Sequence, residues 1–296
     1  MATEEKVPFW IEFLAGWVGG IGQVLTAQPF DIIKIRLQTQ STTNPIYTST
    51  ADCFKKILKN EGPLTFYKGT ASPLIGVGSI CATQFMAYQE CKKKLSDFGI
   101  KAGTNLSFFI SGTFAGCASS FIVAPVEHLR IRMQIQGTKK VKLYTGSIDA
   151  GIKIFKQYGI SGVAKGWVAT VARDGTFFGF YFMFYEIIAR LIQGSKDDKI
   201  SPLAGFVAGG ATGIITWVST FPTDSLKSIA QADSLDKSKR QYTGYINMVS
   251  TVLREQGIKK LYNGLFVCAL RGFPANAVTF LFYEVAKDGF MKLRRK

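Results

Sequence analysis

Residues 29–38 read PFDIIKIRLQ, and the pattern returns at 125–134 as PVEHLRIRMQ and at 222–231 as PTDSLKSIAQ. Each copy has a proline, an acid two residues on, a base three further, and a glutamine four beyond the base. The prolines Pro29, Pro125 and Pro222 lie 96 and 97 residues apart in a chain of 296. So regular a period means three copies of one unit of about 100 residues. The units run 1–98, 99–198 and 199–296, together one domain.

Around each motif the chain repeats one plan. A long apolar segment (8–37, 105–136, 201–231) carries the proline near its end. A polar stretch follows, holding a short amphipathic segment (51–60, 147–157, 246–256), then a Gly-flanked turn and a second apolar segment. Each long segment exceeds the ~20 residues that a helix needs to cross the hydrocarbon layer. The composition is 47% hydrophobic with mean hydropathy +0.15, 30 glycines and a net charge of +16. That mixture fits membrane helices that each keep one polar face on a watery interior. The expected fold is an all-α membrane protein with six transmembrane helices, pseudo-threefold symmetry and three short surface helices. Small residues four apart (Gly16 and Gly20, Gly112 and Gly116, Gly209 and Gly213) read as close helix packing.

Charge placement sets the orientation. Of 36 Lys and Arg, 21 fall between a motif proline and the Gly turn that follows it. The positive-inside rule puts those stretches on the inner side. Outside the polar stretches, links and termini only Arg173 and Arg271 remain, with Asp174 beside them.

Several function classes drop out. Five cysteines form no CxxC pair, and the lone His128 leaves no metal site, so no metal is expected. No nucleic-acid motif accompanies the basic charge, which suits anionic lipid better. No nucleophile–base pair or cofactor cradle suggests an enzyme. Residues 1–8 show no Arg-rich presequence and no signal-peptide layout, so any address is expected inside the membrane segments.

The motif itself predicts a gate. Acid, base and glutamine share one helical face. Around a threefold axis, Asp31, Glu127 and Asp224 can pair with Lys34, Arg130 and Lys227 of neighbouring repeats. Gln38, Gln134 and Gln231 can hydrogen-bond beneath that ring, which would plug the inner mouth of a central cavity. A second ring is hinted at the other membrane face by Tyr88 with Lys92, Tyr185 with Glu186, and Tyr283 with Glu284 and Lys287. Gln89 and Ala189 break its pattern, so at most two ion pairs are expected and a weaker outer gate.

Symmetry also shows where it fails. Arg173 and Arg271 each stand seven residues after the turn glycine, and Gly76 fills that position in the first repeat. These sites lie ~10 Å above the helix start at 1.5 Å per residue. Intramembrane charges mark function by default. The expected substrate site is Arg271 for a carboxylate, Asp174 for an amine, Arg173 assisting, and Gly76 leaving room for a tail. A purely structural pair between Arg271 and Asp174 is the alternative. Trp217 and Phe180 are candidates to line the cavity, or simply packing residues.

The threefold proline-acid-base signature, followed by aromatic-basic-Gly turns, resembles the mitochondrial carrier family over the whole chain. The resemblance implies a multi-pass barrel in the mitochondrial inner membrane that works by alternating access, with both termini in the intermembrane space. The two rings then become matrix and cytoplasmic gates. It further implies cardiolipin as a structural lipid at the turns, near Lys68, Gly69, Lys165, Gly166, Tyr262 and Gly264, and no other cofactor. Tyr158, Ala164, Gln256 and Asn263 depart from the family's turn pattern. Arg173–Asp174 and the run Leu270–Ala277 resemble the branch carrying carnitine, acylcarnitine, ornithine and basic amino acids. Gln28 before Pro29 is similar to the ornithine type. The resemblance therefore implies a monomeric antiporter of small zwitterionic or cationic carboxylates. An accessory subunit of a larger membrane complex is the alternative.

Overall fold

A computed structural model describes residues 8–41, 45–101, 103–136, 143–194 and 202–294. The N-terminal residues 1–7 and the basic links at 139–142 and 195–201 lie outside them. Among the described residues the chain is helical and has no strand. Six long helices are α1 (Phe9–Thr39), α3 (Ala71–Asp97), α4 (Asn105–Ile135), α6 (Trp167–Gln193), α7 (Pro202–Ala232) and α9 (Leu265–Arg294). Three shorter ones, α2 (Thr50–Glu61), α5 (Ser147–Val163) and α8 (Tyr245–Leu261), lie between the members of each pair.

Local chemistry sets the ends of the short helices. Ser49 caps α2 by accepting from the Asp52 N–H at 3.1 Å. Gly159 and Gly257 break the helical path inside α5 and α8 with φ of +66° and +70°. Only glycine takes that conformation freely.

The long helices form a ring in the order α1, α3, α4, α6, α7, α9, and α9 packs back on α1. Pro29, Pro125 and Pro222 lie inside α1, α4 and α7. A proline there removes a backbone hydrogen bond and bends the helix. These three helices also touch one another across the ring.

The distribution of polarity is inverted relative to a water-soluble protein. Phe13, Phe85, Phe121, Ile214 and Leu281 are exposed outward, while Ser111, Ser119, Thr212, Thr216 and Gln28 are buried. Apolar surface on that scale needs lipid around it. By length and composition, α4, α6 and α9 qualify as membrane spans among the described residues. The other three, α1, α3 and α7, are 31, 27 and 31 residues long.

The small-residue pairs behave differently in the three repeats. At Gly112 and Gly116 an added Cβ would run into the α6 backbone at Phe178 and Asp174. On α1 the tight glycines are Gly19 and Gly22 against α9, while Gly16 meets nothing. Gly209 and Gly213 are open as well. The glycine pair of the third repeat therefore marks no close helix contact, contrary to the expectation. Gly116→Ala is expected to cost about 1–3 kcal/mol by overpacking. Gly16→Ala should change little; thermal unfolding in detergent compares them.

Candidate functional site

The inner ends of α1, α4 and α7 bring the three motifs together. Lys34 Nζ lies 2.7 Å from Asp224, Arg130 Nη2 2.6 Å from Asp31, and Lys227 Nζ 2.8 Å from Glu127. Each acid thus takes the base of the next repeat, and the ring is closed. Most of its side chains are buried, with Lys34 8% and Asp224 3% exposed. The glutamines diverge from threefold behaviour. Gln38 donates to Asp224 at 3.2 Å and to Ser225 at 3.0 Å. Gln231 instead reaches the Ala124 carbonyl and the Thr170 hydroxyl. The Gln134 side chain is buried without a hydrogen bond from the protein.

Around the ring is a cavity of about 210 Å³ that runs from Arg173, Arg271 and Trp217 past the ring charges to Gln134. Two arginines reach down from its walls onto the ring acids. Arg271 on α9 lies 3.1 Å from Asp31, and Arg173 on α6 lies 2.5 Å from Glu127. Asp31 and Glu127 therefore each hold two cations from different helices. Asp224 has Lys34 and, more distantly, Lys227 at 3.8 Å. Trp217 forms an aromatic wall of the cavity. Its ring lies 5.6 Å from the Arg271 guanidinium and 5.0 Å from Lys34 Nζ. Both are cation–π distances. Phe177 packs against Trp217 and fixes its orientation. Phe180 packs on Phe109 and Phe184 instead of facing the cavity.

Two residues expected at the cavity sit elsewhere. Asp174 is 1% exposed and lies 2.9 Å from Arg173 Nη1, behind that arginine. It does not pair with Arg271. Gly76 is buried against α4, where an added Cβ would come 2.8 Å from a Val126 methyl. Helix packing has taken up the room that a missing side chain leaves there.

At the outer end the charges stay on their own helices. Glu186 pairs with Arg190 one turn on at 2.5 Å, and Glu284 with Lys287 at 3.9 Å. Lys92 and Arg190 both lie over the Phe108 ring, and Tyr88 stacks on Phe182. Among the described residues no ion pair joins different repeats at this end. Among the described residues, charge pairs between repeats thus close the cavity only on its inner side.

The turns hold their basic residues against the protein. Lys68 lies 3.7 Å from Glu61, and Lys165 bonds Asp233 at 3.3 Å and the Ser234 carbonyl. Burial pulls Lys165 down to about 8. Gly69, Gly166 and Gly264 all have positive φ, and Gly69 and Gly264 pack closely on α4 and α1. Tyr262 stacks near Phe221.

Three polar residues gained roles that the motif did not announce. Gln28 accepts from Arg130 and donates to the Lys68 carbonyl at 2.8 Å, tying ring to turn. Arg190 supplies the base that Ala189 lacks, one residue late. Arg36 is 2% exposed and is held by both oxygens of Glu61. The repeat offered a signal only for Arg36, since Arg132 matches it.

The sequence model of the family described as "Mitochondrial carrier protein" matches residues 5–99, 101–196 and 198–294. The chain is 42% identical to a glutamate/glycine mitochondrial carrier of Schizosaccharomyces pombe, covering 94% of this chain and 93% of that protein. It is 37% identical to a mitochondrial basic amino acids transporter of Bos taurus, covering 91% and 89%. A mitochondrial carnitine/acylcarnitine carrier protein of Homo sapiens is 35% identical, covering 92% of each.

Proposed function

Since the chain belongs to the mitochondrial carrier family, whose members are transporters and not enzymes, we propose that it exchanges small amino acids by alternating access. The membrane would be the mitochondrial inner one, and the closed ring would be the matrix gate. One observation carries this reading. The two arginines of the cavity rest on the very acids that close the ring.

A substrate carboxylate entering from the open side competes with Asp31 for Arg271 and with Glu127 for Arg173. Its ammonium group can take the place on the acid that an arginine leaves. Binding then loosens the ring while satisfying the charges it releases. A ligand drives such a change only by its differential affinity for the two states. Buried ion pairs suit this role, because their net contribution is a small difference between large terms.

Charge favours one end of the substrate range. Lys34, Arg130, Arg173, Lys227 and Arg271 line the cavity against Asp31, Glu127 and Asp224. Asp174 behind Arg173 offsets one more cation, which leaves one positive charge in excess. An amino acid of net charge zero or minus one meets that excess, whereas a dibasic one adds to it. The name of the glutamate/glycine relative agrees with this direction. Ornithine-like and carnitine-like substrates are the competing outcomes.

Cardiolipin fits as a structural lipid at a groove of about 480 Å³ between the starts of α6 and α8. Lys165, Lys237 and Arg240 edge it. Helix N-termini carry free N–H groups and favour phosphate.

Thermal shift on the purified protein tests the substrate range. Glutamate or glycine should raise the melting temperature through preferential binding. A shift with arginine or carnitine alone would overturn the charge argument.

A further inference from the structure

Below the ion-pair ring, three buried cations point at backbone instead of carboxylates of the neighbouring repeat. Arg36 on α1 donates from Nε to the Gln134 carbonyl, in the last turn of α4, at 3.3 Å. Arg132 on α4 donates to the carbonyls of Ala232, the last residue of α7, at 3.3 Å and of Asp233. Lys260 on α8 donates from Nζ to the carbonyl of Gln40, just past α1, at 3.0 Å. All three are under a tenth exposed.

The pattern closes on itself. The first repeat caps the second, the second caps the third, and the third caps the first. In the ring above, bases reach back the other way, from each repeat to the acid of the one before. Every interface is therefore tied by two links running in opposite senses. The physics differs as well. The last carbonyls of a helix lack intrahelical partners and carry the negative end of its dipole, so a cation there is favourable.

Sequence position does not by itself produce this girdle. The residue seven beyond the motif proline is Arg36 in the first repeat and Arg132 in the second, but Ile229 in the third. Lys260 comes from a different helix and reaches the equivalent carbonyl. The link is kept although its residue has been replaced.

We propose that Arg36, Arg132 and Lys260 are positioning residues forming a second, backbone-directed latch on the inner ends of α1, α4 and α7. Opening toward that side must release all three caps along with the ring. The proposal rests on the alternating-access reading.

Native cysteines report on it. Cys268 is 4% exposed on α9 and lies beside Lys34, across the interface that Lys260 ties. Cys53 is fully buried in an inner cluster with Ile32, Leu37 and Ile57 of the first repeat, which Val267 of α9 also joins. In substrate-free protein, Lys260→Gln should speed N-ethylmaleimide alkylation of Cys268 severalfold, followed by mass spectrometry, with Cys53 unchanged. Lys260→Arg should restore the wild-type rate. An unchanged Cys268 rate overturns the latch. So does an equal rise at both cysteines, which would mean loosened packing, or a failure of arginine to rescue. Wild-type exchange in liposomes tests the carrier reading separately. No exchange sinks that reading, whereas an exchanging protein with unchanged Cys268 sinks only the latch.

Discussion

Arg271→Ala is expected to lower solute exchange by about 100-fold or more, since truncating one partner of a buried charged pair costs roughly 2–5 kcal/mol of binding. The protein should remain folded. Asp31 keeps Arg130 at 2.6 Å, so the ring survives the loss of its second cation. What disappears is the planar fork that can hold a carboxylate in two parallel hydrogen bonds. Arg271→Lys keeps the charge without that geometry and should recover only part of the rate. The measurement is initial uptake of labelled amino acid into preloaded liposomes, beside a melting curve of each variant. A variant that melts like wild type yet exchanges at the wild-type rate would remove Arg271 from the substrate site.

The second large effect concerns stability. Glu61→Gln should cost about 3–5 kcal/mol, the penalty for breaking a buried pair by removing one partner. The Arg36 side chain is 1% exposed and Glu61 15%. Arg36 bonds both carboxylate oxygens and the Tyr47 hydroxyl, the last at 3.1 Å. Neutralising Glu61 leaves that guanidinium buried without its counter-charge. Burial pushes the Glu61 carboxyl up, but the Arg36 hydrogen bonds and charge outweigh it and hold the group below its usual range. The sign follows from that depression. Its stabilisation is fully present above the unfolded carboxyl value and is lost as pH falls through the lower folded value. Melting curves of wild type and Glu61→Gln should therefore converge on acidification. Curves that differ equally at neutral and acid pH would mean the effect is not electrostatic.

The other two repeats explain why this pair matters in the first. Tyr158 and Gln256 stand where Glu61 does. In the second repeat Arg132 leans on His128 Nε2 at 2.9 Å and on carbonyls of α7. In the third the arginine itself is gone, replaced by Ile229. Each repeat has lost or kept the pair as a unit, or found another partner for the orphaned cation.

Threefold copying is what made the ring legible in the sequence. Acid, base and glutamine recur at one spacing, and helical geometry leaves the charges one mutual arrangement around an axis. Arg173 and Arg271 were legible for the opposite reason, as departures from the symmetry inside an apolar helix. Their docking on Glu127 and Asp31 was not, because spacing along one helix says nothing of how far a long side chain reaches toward another. Asp174 and Gly76 misled through the same gap. Position gave their depth in the membrane, whereas the rotation of α6 and α3 put one behind Arg173 and the other against Val126. Of the backbone caps only the shared position of Arg36 and Arg132 was legible, since a helix-end carbonyl has no sequence identity and Lys260 is not their symmetry equivalent.

Counter-exchange in reconstituted liposomes bears most directly on the claim that a carboxylate-bearing amino acid is carried by alternating access. Labelled glutamate or glycine should enter only vesicles preloaded with an unlabelled amino acid, and Arg271→Ala should abolish that uptake. Uptake equal in empty and loaded vesicles, or no uptake of any amino acid by folded wild-type protein, would contradict it.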